Sequence, residues 1–213
     1  PAYRSELATR NTVSSDLIEV SVEPEVHVLS SRQEAGVILE SLSALKPLKQ
    51  RPFISVVVPI YGHFTYLRSC LISLADPRDV AFEIVCVDDG SPDPRIGVLM
   101  DELRDKHPRL IIHREINNLG ISTVQNLAVE LASGEFVAFL DCDDALVPGA
   151  LEVVGATLQS KPYVDYLFTD RFDVDENDQI LRVARYGGYE RTKFKSQEFI
   201  QSDLLDGMVA SHL

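Results

Sequence analysis

The chain has 213 residues and a formal net charge of −13 at pH 7. This length suits one sizeable domain with an extension, and 45% hydrophobic with 25% charged residues is an ordinary globular composition. Such acidity excludes nucleic-acid binding through charge alone, and it repels phosphates unless a cation intervenes.

The three cysteines, Cys70, Cys86 and Cys142, are widely spaced. Their spacing indicates reduced thiols in a cytosolic protein and not a disulfide framework or a zinc site. The first residues lack the apolar core of a signal peptide, and no apolar run approaches the roughly 18 residues of a membrane span. We therefore predict a cytoplasmic chain without a transmembrane segment, either free or peripheral to the inner face of the membrane.

Before residue 53 the hydrophobic pattern is weak. Residues 1–31 suggest an extended lead-in, and helical spacing over 31–45 predicts a short helix. The stretch "KPLKQRP" (46–52) has two prolines and indicates a linker. The predicted organisation is an N-terminal extension over 1–52 and a domain over 53–213.

From residue 53 onwards, strand-like and helix-like segments alternate four times. The predicted strands are 53–58, 82–87, 109–114 and 136–140, and the predicted helices are 64–75, 95–106, 117–132 and 148–159. Pro59 is predicted to end the first strand and Pro148 to open the last of these helices. The alternation predicts an α/β fold with a Rossmann-like, mostly parallel sheet covered by helices on both faces.

The alternation stops after the apolar run "VDYLFT" (164–169), which ends next to Asp170. Residues 171–183 are typical of a hairpin that turns at Glu176–Gln179. Residues 195–207 then predict a final helix. The expected fold therefore carries a hairpin and helix extension at its C-terminal end.

Polar residues follow each predicted strand, as "PIYGH", "DDGSPD", "REINNLG" and "DCDDA". Ligands of open parallel sheets bind outside the carboxyl ends of the strands. We therefore expect these four loops to converge on one binding site. Asp170 is expected to face the same edge.

The last loop places Asp141, Asp143 and Asp144 within four positions. One of these carboxylates could cap the helix near Pro148, but holding the others close together in a crevice costs Coulomb energy. A divalent cation removes that cost, and oxygen ligands suit Mg²⁺ or Mn²⁺. The sequence therefore predicts a cation clamp that lets an acidic protein hold an anionic diphosphate.

Four stretches, "ISVVVPIYG", "IVCVDDGSPD", "NNLGISTVQNLAVELASGEFVAFLDCDD" and "LVPGAL", together resemble family 2 glycosyltransferases with the GT-A fold. The resemblance is strong over residues 53–170 and weaker to the end of the chain. It implies an inverting enzyme that transfers a sugar from a nucleotide-diphospho-sugar, often a UDP-sugar, to a hydroxyl acceptor. It also implies a glycan or lipid-linked acceptor and a role in cell-surface polysaccharide synthesis.

The resemblance also assigns nucleotide contacts. Pro59 and Tyr61 would lie against the nucleobase, and either Asp89 or Asp88 would accept a hydrogen bond from it. The alternative for Asp88 is a satisfied turn residue.

Further donor contacts fall on the next helix. Asn118 and Gly120 match an N-x-G turn in which the glycine would let the backbone approach the donor. Asn126 matches a family asparagine, although a plain polar position on a helix face is equally compatible with it. The family usually has a basic residue before this asparagine, and Gln125 stands there instead, which leaves phosphate binding more dependent on the cation.

For the cation, the resemblance implies Asp143 as the direct ligand. Asp141 would orient the ribose or join the metal shell, and Asp144 would be either a third carboxylate or a helix cap. The cation would act on the diphosphate leaving group. The family's general base follows a strand that resembles the final "SHL", so we expect the base beyond Leu213 and the chain to be a fragment.

Two alternatives remain open at this stage. A nucleotide-sugar-binding module without turnover would share the same site but lack the base. A haloacid-dehalogenase-like phosphatase would use "DCD" for an aspartyl nucleophile and an acid/base. That motif normally opens its fold, whereas here it follows three predicted strands.

Overall fold

The computed structural model describes residues 24–75, 80–175 and 179–184. Its helices are α1 (Pro24–Leu42), α2 (Phe64–Ser73), α3 (Pro94–Leu103), α4 (Ile121–Leu131) and α5 (Ala150–Ser160). Its strands are β1 (Ile54–Ile60), β2 (Phe82–Asp89), β3 (Leu110–Glu115), β4 (Phe136–Phe139), β5 (Arg171–Val174) and β6 (Ile180–Ala184).

Strands β1 to β4 form one parallel sheet in the order β3-β2-β1-β4. Every residue of β1 and β2 is buried. Strands that are covered on both faces read as continuous apolar runs, as these two do. The predicted parallel α/β sheet is confirmed.

The two faces of the sheet pack against different helices. Val57, Val85 and Val87 contact Val124 and Ala128 of α4 on one face. The alternate residues of β1 and β2 form a larger core with α1, α2, α3 and α5 on the other face. Successive strand side chains point to opposite faces, so this division follows directly from the pleat.

Helix α1 is longer than the short helix predicted over 31–45, and it begins at Pro24, within the stretch predicted to be extended. Proline is favoured at the first helical position because its missing N–H has no partner there in any helix. Ile38 and Leu42 are fully buried and belong to the larger core, and α1 packs against α2 and α3. This helix therefore covers part of the core of the α/β sheet.

The prediction that Pro59 ends the first strand is wrong, because β1 continues to Ile60. The Val57 carbonyl accepts from Leu140 N–H at 3.0 Å, so alternate residues of β1 direct their backbone groups towards β4. The β1–β4 pairing stops at Val57 and Phe139. The missing N–H of Pro59 therefore falls where no neighbouring strand remains to accept it, which is a position that tolerates proline.

Two other boundaries differ from the prediction. Helix α5 begins at Ala150 and not at Pro148, because Gly149 takes a left-handed conformation at the N-cap. Strand β2 extends through Asp89, so both carboxylates of "DDGS" lie within the strand.

Beyond α5, residues 164–170 form neither helix nor strand. The predicted hairpin is confirmed as the antiparallel pair β5–β6. The centre of its turn and the predicted final helix over 195–207 lie outside the described residues. Within the described ranges, none of the helices combines the length and the apolarity that crossing a membrane requires.

Candidate functional site

A crevice of about 320 Å³ opens at the carboxyl end of the parallel sheet. It is lined by Pro59, Ile60, Tyr61, Asp89, Asn118, Ile121, Val124, Asp141, Cys142 and Asp143. The loops after β1, β3 and β4 contribute to it, together with Asp89 at the end of β2. Strand β2 lies on one side of β1 and β4 lies on the other, so the direction of the strand order reverses at β1. The crevice lies at this reversal, which is the usual position of ligands in open parallel sheets.

Asp89 ends β2 and is only 3% exposed. Its Oδ1 accepts from Leu119 N–H at 2.6 Å, and its Oδ2 accepts from Gly120 N–H at 3.0 Å. Gly120 has φ 87° and ψ 151°, a region that essentially only glycine adopts. One carboxylate therefore fixes the turn that opens α4 and places Asn118 against the crevice.

Asp88 lies on the opposite face of β2 and is fully buried outside the crevice. Its Oδ1 accepts from Ser91 N–H at 3.0 Å, and its Oδ2 accepts from Arg114 Nε at 3.2 Å. These contacts match the alternative of a satisfied turn residue. Of the two candidate nucleobase contacts, Asp89 is the one that reaches the crevice.

The loop after β2 also contacts the loops on either side of it. Ser91 Oγ accepts from Gly62 N–H at 3.0 Å, which links it to the loop after β1. A Cβ placed on Gly90 would lie 2.7 Å from the carbonyl carbon of Asn117 and 2.9 Å from the amide nitrogen of Asn118. The "DDGS" stretch therefore joins three loops of the site.

The acidic end of the crevice contains Asp141 and Asp143. Asp144 is exposed and does not line the crevice, and its backbone N–H donates to the Asp141 carbonyl at 3.0 Å. Helix α5 has Gly149 at its N-cap and no side-chain cap, so the alternative of Asp144 as a cap is wrong.

The residues of the crevice fit a divalent cation held by two carboxylates. Its lining includes no lysine or arginine, so an anionic ligand meets no fixed positive side chain there. Mg²⁺ commonly takes one or two protein carboxylates and completes its shell with phosphate oxygens and water. Within the described ranges, no group of three histidine, cysteine, aspartate or glutamate residues is arranged to hold a metal. Asp89 also lines the crevice, but both of its oxygens accept backbone N–H groups, so Asp141 and Asp143 are the donor set at the acidic end.

His63 lies beside this acidic end. It is the N-cap of α2 with φ 58°, and its side chain makes no capping hydrogen bond. Its Nδ1 is 3.9 Å from Asp143 Oδ2, and both side chains are about half exposed, at 50% and 47%. The ring also lies 6.3 Å from the Tyr66 ring.

The three thiols are free and buried. Burial raises the pKa of Cys142, which lines the crevice, to about 11, and it raises the pKa of Cys86 to about 12. Cys70 Sγ donates to the Asp141 carbonyl at 3.6 Å. Protonated thiols are weak nucleophiles, so Cys142 contributes shape to the crevice and not reactivity.

Besides Asp88 and Asp144, three predicted residues do not line the crevice, namely Gly120, Asn126 and Asp170. Asn126 is exposed on α4, and Asp170 is exposed after α5. Conversely, sequence reasoning did not select Ile121 and Val124, which form an apolar wall. Their spacing of three residues at the start of a helix was the available signal, because residues three apart share a helix face.

An open parallel sheet with an acidic crevice at its strand-order reversal defines a ligand-binding α/β domain of the nucleotide-binding kind. The chain belongs to Glycosyl transferase family 2, whose family model matches residues 55–210. This match confirms the predicted family, and it excludes the haloacid-dehalogenase alternative.

Individual relatives are similar to parts of the chain. An uncharacterized protein of Mycobacterium tuberculosis is 34% identical over 147 residues, which cover 69% of this chain and 44% of that protein. A poly(ribitol-phosphate) beta-glucosyltransferase of Bacillus spizizenii is 34% identical over 101 residues, which cover 46% of this chain and 16% of the relative. The chain therefore spans less than half the length of either.

A crystal structure of S. aureus TarS 1-349 in complex with UDP-GlcNAc is similar in fold. Its TM-score is 0.50 at 29% identity, over 61% of this chain and 37% of that one. The GT-A-type α/β fold implied by the sequence agrees with this likeness.

Proposed function

We propose that this chain is the donor-binding part of a glycosyltransferase that uses a nucleotide-diphospho-sugar, most simply a UDP-sugar. The observation that carries this proposal is the crevice, which combines an apolar wall, three carboxylates and no lysine or arginine in a member of Glycosyl transferase family 2. The similar S. aureus TarS structure contains UDP-GlcNAc, which supports a uridine donor.

The residues of the crevice divide into two parts. Pro59, Tyr61, Ile121 and Val124 offer apolar surface to a planar base and exclude water from it. Asp89 holds the α4 turn, and through it Asn118, in place at the edge of this surface. The nucleobase contact through Asp89 itself remains a prediction, since both of its oxygens already accept backbone N–H groups.

Asp143 and Asp141 would hold Mn²⁺ or Mg²⁺ at the acidic end. When bound, the cation supplies Lewis-acid stabilisation of the departing diphosphate. These two carboxylates would orient the cation and balance its charge, whereas the third carboxylate of the lining, Asp89, is bonded to the backbone N–H groups of Leu119 and Gly120. The lining has no basic side chain, in line with the presence of Gln125 where the family usually has a basic residue. The cation would therefore be the main partner for the phosphates.

The wider proposal is transfer with inversion to a hydroxyl acceptor in cell-surface polysaccharide synthesis. The resemblance to a poly(ribitol-phosphate) beta-glucosyltransferase supports it. We place the general base outside the crevice described above, in accordance with the sequence analysis. We also propose a cytoplasmic location, in line with three free thiols, which are typical of a reducing compartment.

The test is calorimetric titration of UDP with and without Mn²⁺. We expect metal-dependent binding, and we expect Asp143→Asn to weaken UDP binding in Mn²⁺ by at least about tenfold. Loss of a residue that only positions a metal ligand already lowers metal affinity by about tenfold or more, and Asp143 would be a direct ligand. Glu130→Gln is the matched control, since it removes one exposed carboxylate at the far end of α4. A UDP affinity that changes neither on addition of Mn²⁺ nor in the Asp143→Asn variant would refute the proposal.

A donor-hydrolysis assay then separates an enzyme from a binding module. Release of UDP from UDP-sugars by this chain supports turnover within these residues. Metal-dependent binding without hydrolysis or transfer supports the binding module for this part of the protein.

A further inference from the structure

We propose that Arg114 is a positioning residue of the donor site, which acts through Asp88 on the loop that follows β1. This inference rests on the proposed function, because it names a residue outside the crevice on which donor affinity depends. Arg114 lies on β3 and does not line the crevice. It therefore keeps the crevice in shape without contacting the nucleotide.

The first link is the ion pair between Arg114 and Asp88. The two residues are partners in the register of β2 and β3, so their side chains lie on the same face of the sheet. Arg114 Nε donates to Asp88 Oδ2 at 3.2 Å, and the Asp88 side chain is fully buried. A buried carboxylate that loses its charge partner is strongly unfavourable. Removal of the guanidinium should therefore displace or reorient the Asp88 side chain.

The second link runs from Asp88 to the loop after β1. Asp88 Oδ1 accepts from Ser91 N–H at 3.0 Å, which fixes the turn that follows β2. Ser91 Oγ in turn accepts from Gly62 N–H at 3.0 Å. Gly62 directly follows Tyr61, which lines the crevice. One continuous series of hydrogen bonds therefore connects Arg114 to the loop that carries part of the lining.

Helix α3 holds the guanidinium from the other side. A Cβ on Gly97 would lie 2.6 Å from Arg114 Nη2 and 3.2 Å from Arg114 Cζ, so glycine leaves the space that the guanidinium occupies. Glycine inside a helix is less favourable than alanine, and this position gives up helix stability for that space. Asp101, about one turn further along α3, accepts from Arg114 Nη1 at 3.1 Å. The orientation of the guanidinium is therefore set by β2 and α3 together, as a positioning role requires.

The competing explanation is an ion pair that stabilises the fold and has no effect on the crevice. Both explanations predict a lower free energy of unfolding when Arg114 is replaced. They differ in UDP affinity, because only a positioning residue changes the crevice of the molecules that remain folded. A direct contact of Arg114 with the nucleotide would also contribute to affinity, but its loss would not be repaired by a change at Asp88.

The experiment is calorimetric titration of UDP in Mn²⁺, with Arg114→Gln as the main variant. Arg104→Gln is the matched control, since Arg104 donates to the same Asp101 side chain at 3.4 Å from the exposed C-cap of α3. The second variant combines Arg114→Gln with Asp88→Asn. Removal of both charges of a buried pair is tolerated better than removal of one, and asparagine still offers an oxygen to Ser91 N–H. Urea unfolding checks that each variant is folded.

We expect Arg114→Gln to weaken UDP binding by about fivefold, the factor that corresponds to one lost hydrogen bond. Arg104→Gln should weaken it by less than about twofold, as expected for an exposed pair. The combined variant should recover most of the loss. Ser91→Ala should act like Arg114→Gln, and adding Arg114→Gln to it should weaken binding by less than about twofold further, because both changes break the same series of hydrogen bonds.

A folded Arg114→Gln variant that binds UDP like the native chain would overturn the inference, and the proposed function would stand if Asp143→Asn still weakens binding. A loss that Asp88→Asn does not reduce would also overturn it, in favour of a direct contact. If Arg114→Gln alone does not fold, the combined variant decides, since UDP affinity within about twofold of the native value supports the inference and a larger loss overturns it. Failure of the native chain to bind UDP in Mn²⁺ would overturn the proposed function, and this inference with it.

Discussion

The close approach of Gly90 to the neighbouring loop gives a sharp prediction. Replacing Gly90 with alanine places a Cβ 2.7 Å from the carbonyl carbon of Asn117 and 2.9 Å from the amide nitrogen of Asn118. Ordinary carbon contacts lie at about 3.5–4.0 Å, so the backbone of residues 117–118 must move. Gly62→Ala is the matched control, because Gly62 also has a positive φ, of 76°, but a Cβ there meets nothing within 4 Å.

The expected magnitudes follow from this difference. An alanine in the left-handed region costs about 1–2 kcal/mol, and its lower entropy in the unfolded chain offsets about 0.4–1 kcal/mol. Gly62→Ala should therefore reduce the free energy of unfolding by about 1 kcal/mol. Gly90→Ala adds a packing conflict of about 1–3 kcal/mol, which gives a total loss of about 2–4 kcal/mol.

Urea unfolding of the two variants measures these values, and UDP titration in Mn²⁺ measures the effect on the site. Gly90→Ala should lose UDP affinity as well as stability, because the displaced backbone carries Asn118, which lines the crevice. Equal losses of unfolding free energy in the two variants would show that the close contact at Gly90 has no energetic effect, and the reasoning would then be refuted.

Two further predictions concern buried polar groups. Asp89→Asn places an amide NH₂ against one of the two backbone N–H groups from which the carboxylate accepts hydrogen bonds. We therefore expect the free energy of unfolding, measured with urea, to fall by about 1.5–3 kcal/mol. The control Glu130→Gln should change it by less than about 0.5 kcal/mol. An Asp89→Asn variant as stable as the native chain would contradict this role. His107 accepts from Arg109 N–H at 3.2 Å and contacts the Leu45 carbonyl at 3.3 Å, and burial lowers its pKa. The neutral ring is therefore favoured in the folded state, so its contribution to stability is present above pH of about 6.5 and is lost as the pH falls through the lower folded pKa. Unfolding curves at pH 7 and pH 5 should show a smaller acid-induced loss in His107→Gln than in the native chain, and an equal loss would contradict the assignment.

The sheet could be predicted from the sequence because its central strands are buried on both faces. Continuous runs such as "ISVVV" and "FEIVCV" have few other interpretations when helical segments separate them. The ends of the strands and helices were harder to predict from the sequence, because they depend on which elements pack beside them in the fold. Pro59 is tolerated within β1 since β4 pairs only as far as Phe139, and no local pattern reveals where a partner strand stops.

The site was predictable in its location but not in the orientation of its side chains. The convergence of the strand ends follows from a parallel sheet, and Asp141 and Asp143 do line the crevice. Choosing between Asp88 and Asp89 required knowing that the strand continues through both, since adjacent residues then face opposite sides. The approach of His63 to Asp143 depends on β1 lying beside β4, which only the strand order reveals.

The hydrogen bonds of Asp89 and Ser91 have a consequence for the thermodynamics of recognition. They connect the loops after β1, β2 and β3 through the protein's own groups, so the conformational entropy of these loops is lost on folding and not on encounter with the donor. A preorganised site of this kind retains more of its contact energy as affinity. Substitutions that remove these hydrogen bonds should therefore lower the affinity for donors with different sugars by similar factors. The reason is that they change the order of the loops in the free protein and not a contact with the sugar.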